Sequence, residues 1–174
     1  MGDSEGGGGL KARGFNCLRR RLRGWIEEDY KKLGYSDNWI NQRVKSIEIR
    51  KELTDEWKNR GLKEEIHFAA LTDIITKTWS GKTTKEYKRF KNLKKENLRD
   101  NMTNTELVLN MLAELSTKNI SESSGPKTLE EHRGVAKQGG EVALNARKEL
   151  EQKTGKKAIS SLNAKTGVLL KGKS

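Results

Sequence analysis

The apolar residues of this chain fall into short stripes, spaced three and four apart, that end at glycine or at small polar residues. That period lines up side chains on one face of a 3.6-residue helix, whereas a half-buried strand alternates every second residue. Phe15, Leu18, Leu22, Trp25 and Ile26 make the first stripe, which Gly34 stops. Trp39, Ile40, Val44, Ile47, Leu53 and Trp57 make the second, up to Gly61. Ile66, Ala69, Ala70, Leu71, Ile74 and Ile75 form a broad third face over Glu64 to Trp79, expected to be the most buried segment. Leu107, Val108, Met111, Leu112 and Leu115 form a further amphipathic stretch, and Val142, Ala143, Ala146 and Leu150 a weaker one. The expected fold class is all-α.

Start signals agree with the stripes. Ser36 can cap a helix whose first turn holds Asp37, a negative charge near the positive end of the backbone dipole. Thr83 with Glu86, Thr103 with Glu106, and Thr128 with Glu131 have capping-box spacing, in which each side chain satisfies an otherwise unpaired amide. The segment from Lys82 to Arg99 reads as one short helix, with Tyr87, Phe90, Leu93 and Leu98 inward and its cations outward.

Punctuation then divides the chain. Residues 1–14, with the glycine run Gly6 to Gly9, read as a flexible tail, and 15–118 as a multi-helix body. Residues 119–127, holding Ser121, Ser123, Ser124, Gly125 and Pro126, read as a linker. Residues 128–174 read as short helical segments, interrupted at Gly139 and Gly140, that run out into a basic tail with Lys165, Lys171 and Lys173. The core must be thin: of 174 residues 32% are hydrophobic and 34% charged, against about 25% charged in ordinary globular domains. Two uses are open for the 107–115 face, closing the monomer or pairing with a second copy.

No catalytic or metal centre is legible. His67 and His132 sit in different segments, and Cys17 is the single cysteine, so a zinc motif and an intrachain disulfide are both excluded. His67 is expected to be structural or solvated. Ser80-Gly81-Lys82-Thr83 resembles the end of a phosphate-binding loop, yet Thr76 stands where its first glycine is needed. Glu64, Glu65 and Asp73 could meet on a helix, but their spacing alone does not gather a metal site. The expectation is a protein that is not an enzyme and has no cofactor. The chain shows no apolar run long enough to span a bilayer and no secretory signal, so the expected setting is cytoplasmic, in a bacterium or an infected host cell, without a membrane partner.

Charge supplies the functional signal. The formal net charge is +12, a field that attracts polyanions and speeds their encounter. Arg19, Arg20, Arg21 and Arg23 cluster on the first helix; Lys88, Arg89, Lys91, Lys94, Lys95 and Arg99 on the segment after Lys82; Lys153, Lys156 and Lys157 near the end. These are the candidate contacts to DNA phosphates or to an acidic, nucleic-acid-associated protein. Trp25, Trp39, Trp57 and Trp79 are candidate protein-interface aromatics, since tryptophan is enriched among residues that dominate binding energy.

Longer phrases carry a resemblance. The run from Arg50 to Gly61 (RKELTDEWKNRG), then Tyr87 to Asp100 (YKRFKNLKKENLRD), then Met102 to Leu107 (MTNTEL), resembles the helical region of phage and prophage antirepressor-like proteins, which are similar to DinD DNA-damage-inducible proteins. The match continues through Gly139, Gly140, Ala143, Ala146 to Leu150 and Lys153 to Lys156, and covers roughly Leu33 to Ile159. In that family a BRO-type amino-terminal domain usually precedes this region and is the usual candidate for DNA binding. Only the glycine tract and the arginine-rich helix stand there in this sequence. The resemblance implies a regulatory role linked to the DNA-damage response and recombinase control. The expected function is a phage- or prophage-type regulatory protein binding DNA or a DNA-associated complex. The alternative is an inhibitor or adaptor, such as a counter-defence factor, acting on a host nucleic-acid-binding effector.

Overall fold

All three capping boxes form. Thr83, Thr103 and Thr128 accept hydrogen bonds from the amides of Glu86, Glu106 and Glu131, whose carboxylates reach back to the capping residue's own N–H. Ser36 caps its helix through the Trp39 amide at 3.3 Å. The computed structural model describes residues 9–163, with side chains from residue 20 onward. The glycine run up to residue 8, the Arg19 side chain and the tail lysines Lys165, Lys171 and Lys173 lie outside the described residues. Among the described residues there are six α-helices and no strand: α1 (Gly9–Lys32), α2 (Asp37–Asn59), α3 (Ala69–Ser80), α4 (Thr84–Phe90), α5 (Asn104–Ser124) and α6 (Leu129–Thr154). A π turn (Glu64–Phe68) leads into α3 and a 3-10 turn (Arg99–Asn101) precedes α5.

The core lies where α6 packs on both α3 and α5, with α2 closing the other side of α5. Leu53, Trp57, Leu71, Ile75, Trp79, Tyr87 and Leu107 are among its largest apolar members, each almost wholly buried. At the end of α1, Tyr30 and Tyr35 pack against Trp39, and the Trp39 indole donates to the Met102 carbonyl at 2.8 Å. Asp100 collects the Tyr30 hydroxyl and the Arg43 guanidinium, each at 2.8 Å, which ties α1 and α2 to the 3-10 turn.

Four expectations are corrected. The first helix starts at Gly9, so part of the expected tail 1–14 is helical. The segment 119–127 is not a linker: α5 stays helical through Ser124, Ser121 is buried and donates to Glu56 at 2.9 Å, and Gly125 takes the left-handed cap at φ 61°. Tertiary packing there overrides the turn preference of serine. Gly139 and Gly140 do not interrupt α6 but are its contact face, against Thr117 of α5 and Thr78 of α3. The region after 128 is thus part of the body, and Arg147 fastens it by donating to the Trp79 carbonyl at 2.9 Å. Finally, the helix expected from Lys82 to Arg99 spans only Thr84–Phe90. Asn92 adopts φ 57°, and the chain continues without regular structure to the 3-10 turn.

His67 is structural, accepting the Lys63 amide at 3.0 Å on Nδ1. His132 is different: it is 2% exposed, and both ring nitrogens lack a hydrogen-bond partner among the described residues. Burial, and then the nearby Arg60 charge, hold its pKa below the ordinary value, against weaker opposite pulls from Glu56 and Glu131. The unfolded chain therefore binds a proton at about 6.5, before the folded one does, so stability is full above that pH and falls below it. Urea denaturation between about pH 7.5 and about pH 5 should show that loss, and His132→Leu should flatten it. Equal pH slopes for the two proteins would refute the assignment.

Candidate nucleic-acid interface

A short helix flanked by turns decides which cations reach solvent. On α4, Lys85 and Arg89 are exposed and Lys88 is half-buried; Lys94 and Lys95 are exposed on the loop beyond Asn92. None of these five cations forms an ion pair with a described residue. Lys82 lies 4.7 Å from the centre of the Phe90 ring, which keeps its ammonium beside the same helix.

The two acidic residues in this segment are engaged by backbone. Glu86 accepts the Thr83 amide at 2.8 Å and Glu96 the Lys94 amide at 2.7 Å. Backbone amides hold both carboxylates below their ordinary pKa values, that of Thr83 for Glu86, and for Glu96 first its own amide and then that of Lys94. Both carboxylates stay ionised and attract neighbouring ammonium groups, Glu96 that of Lys94 and Glu86 that of Lys82, but the cations outnumber them, so the segment presents a ridge of net positive charge. A neutralised phosphate releases condensed counterion, and such a ridge can do that without reading sequence.

Other expected contacts stand elsewhere. Arg20 and Arg21 are exposed on the projecting half of α1, and neither pairs with a described carboxylate. Arg23 is paired with Glu27 at 2.9 Å and reaches Glu48 at 3.5 Å. Near the end of α6, Lys153 pairs with Glu149 at 2.7 Å and Lys157 lies 3.9 Å from Glu151, while Lys156 is exposed. Exposed pairs such as these are weak, about 0–1 kcal/mol, and leave the side chains recruitable.

Two groups of expected site residues are corrected. Lys91 is no phosphate contact: it is fully enclosed, with its ammonium 2.8 Å from Glu106 and donating to the Ser160 and Leu162 carbonyls. Arg99 is turned inward, donating to the buried Glu114 at 2.6 Å. Trp39, Trp57 and Trp79 are core residues, 3%, 1% and 0% exposed, and offer nothing to a partner. Only Trp25 among the four is open, at 62%, beside exposed Leu22.

Sequence reading missed the polar residues inside. Arg50 donates to Glu114 and to the Thr72 hydroxyl, and Asn110 is 1% exposed with its amide nitrogen unpartnered. A signal existed: Asn110, Glu114, Thr117 and Ser121 continue the helical phase of Leu107, so polar residues occupy buried positions of α5. Among the described residues, no group of three or more His, Cys, Asp or Glu side chains is placed to hold a metal, and no helix is long and apolar enough to cross a membrane. No protein-family model matches the chain, and no curated protein matches its sequence.

Proposed function

We propose that this chain is a non-enzymatic regulatory protein that binds DNA, or a complex assembled on DNA, through backbone phosphates. The observation that carries this reading is the α4 ridge: Lys85, Lys88, Arg89, Lys94 and Lys95 form no ion pair with a described residue and outnumber Glu86 and Glu96, which are held by backbone amides. Arg20 and Arg21 on α1 supply further contacts. The phage or prophage setting rests on the resemblance to antirepressor-like and DinD proteins. Action is by occupancy and steric competition, since no side chain here is assigned to a base edge.

Titration of labelled duplex across salt concentrations tests the reading. Binding should weaken steeply with salt, and replacing Lys85, Arg89, Lys94 and Lys95 together by Gln should make the log–log slope shallower by about 2–4, at roughly 0.9 for each phosphate that is no longer neutralised. An unchanged slope would remove the ridge from the interface. A second reading, an inhibitor or adaptor of an acidic nucleic-acid-associated protein, is favoured by Trp25, an exposed aromatic next to Arg20, Arg21 and Arg23. In that case duplex binding is absent even at low salt, and a lysate partner stays on the tagged protein after nuclease treatment.

A further inference from the structure

Between α2, α3, α4 and the start of α5 lies a cleft with a smaller inner part of about 140 Å³ and a wider outer part of about 480 Å³. Thr72, Thr84 and Lys88 line both parts; Arg99 and Asn110 close the inner end and Arg50 flanks the outer one. The charges around it do not balance. One carboxylate oxygen of Glu114 serves both guanidinium groups, Arg50 at 3.3 Å and Arg99 at 2.6 Å, and Lys88 adds a third cation with no acidic partner among the described residues. Asp73 at the outer rim is engaged with the Thr84 amide at 3.1 Å.

Donors are left over as well. The Asn110 amide nitrogen and the Arg99 Nε are buried without a partner among the described residues, as is the second carboxylate oxygen of Glu114. Buried polar atoms are nearly always satisfied, so two unpartnered donors on residues that line one cationic cleft leave room for a further acceptor beside the Glu114 carboxylate. Burial, and repulsion from Arg99, also pull the Arg50 guanidinium below its ordinary value against the attraction of Glu114. An anion in the cleft would relieve that repulsion. Fixed guanidinium donors, an ammonium and neutral amide and hydroxyl groups together match a tetrahedral oxyanion.

We propose that this cleft binds the phosphate group of a small ligand, with Lys88 and Arg99 as its charge partners and Asn110 as its buried neutral donor. The site is separate from the nucleic-acid ridge except at Lys85 and Lys88, and it stands whether or not the chain binds DNA. The small inner part, about 140 Å³, suits a terminal phosphate better than a phosphodiester, which must continue in two directions.

Calorimetry and thermal melting of the full chain with millimolar inorganic phosphate, and with a nucleoside monophosphate, test it in chloride buffer of constant ionic strength. Binding heat and a raised melting temperature are expected for both ligands. Lys88→Met and Asn110→Ala should each weaken phosphate binding about tenfold or more, a change readable in Kd. Arg89→Gln with Lys94→Gln, which removes ridge charge away from the cleft, should leave phosphate affinity intact. Melting curves without ligand keep the comparison to folded variants. Absent heat and absent thermal shift would overturn the proposal, as would equal affinity in the wild type and both cleft variants. Displacement of bound phosphate by a duplex lacking terminal phosphates would overturn it too, by assigning the cleft to the nucleic-acid backbone.

Discussion

Replacing Glu106 by Ala is expected to destabilise the protein by about 3–5 kcal/mol, the usual cost of removing one partner from a buried ion pair. Glu106 is 0% exposed and its carboxylate accepts from four groups: Lys91 at 2.8 Å, the Tyr87 hydroxyl at 2.7 Å, and the amides of Thr103 at 2.7 Å and Ser160 at 2.9 Å. Burial already pulls the Lys91 ammonium below its ordinary pKa, and Glu106 offsets only part of that. Without the carboxylate, Lys91 must either stay charged with two carbonyls as its only acceptors or lose its proton. Tyr87 and Ser160 lose their acceptor in the same step, and the segment around Ala158 to Leu162 loses its tie to α5. Against a total stability of about 5–15 kcal/mol this is a large fraction, equivalent to a drop in melting temperature of roughly 6–20 °C for a chain of this size.

Lys91→Met should cost less than Glu106→Ala, because Glu106 keeps its three other donors. The double variant, Lys91→Met with Glu106→Gln, should recover part of the loss, since it removes both charges and retains an acceptor for Tyr87. Urea unfolding of the wild type, Lys91→Met, Glu106→Gln and the double variant closes the cycle, with Glu106→Ala measured beside it. A Glu106→Ala protein within about 1 kcal/mol of the wild type would mean that the interior there is hydrated and the pair is not structural.

The second large effect depends on the absence of a side chain. Gly139→Ala is expected to destabilise by about 2–3 kcal/mol even though alanine is the better helix former by about 1 kcal/mol. A Cβ at Gly139 would overlap the Thr117 hydroxyl and lie 2.6 Å from the Thr117 backbone nitrogen and 2.7 Å from its Cα. A side chain can change rotamer, but backbone of a packed helix cannot, so α6 must move away from α5. Gly134, on the same helix, is exposed and a Cβ there meets nothing within 4 Å. Gly134→Ala should therefore stabilise by about 0.5–1 kcal/mol. The same chemical change five residues apart thus has opposite signs. Equal effects at the two positions in thermal or urea unfolding would show that α6 does not pack on α5 as described.

Both sites show why part of the molecule could be read in advance and part could not. The capping boxes were legible because their physics is complete within four residues: Thr103 and Glu106 exchange hydrogen bonds whatever the rest of the chain does. That Glu106 also neutralises Lys91 was not legible. Among Lys88, Lys91, Lys94 and Lys95 nothing local singles out the one that is enclosed. Its burial depends on the left-handed Asn92 that ends the α4 region and on carbonyls about 70 residues further along. The proposed phosphate cleft is similar, for Arg50 on α2 is remote in sequence from Arg99 and Asn110.

The tryptophans and the paired glycines were seen correctly as chemistry and misplaced as structure. Trp39, Trp57 and Trp79 sit on the apolar stripes that sequence periodicity identified, but a stripe does not say what will cover it. Gly139 and Gly140 are poor helix formers by intrinsic preference, yet the contact they permit with Thr117 and Thr78 outweighs that preference.

The recurrence of apolar residues every three or four positions, and the caps between the stripes, determined by themselves that this protein is built of helices, because hydrogen bonding and helical phase are local. Tertiary structure alone decided that residues 129–154 form one long helix inside the body, that Lys91 and Arg99 face inward, and which cations remain on the ridge. Those outcomes follow from burial and electrostatics between segments far apart in the chain, which the order of residues encodes but does not display.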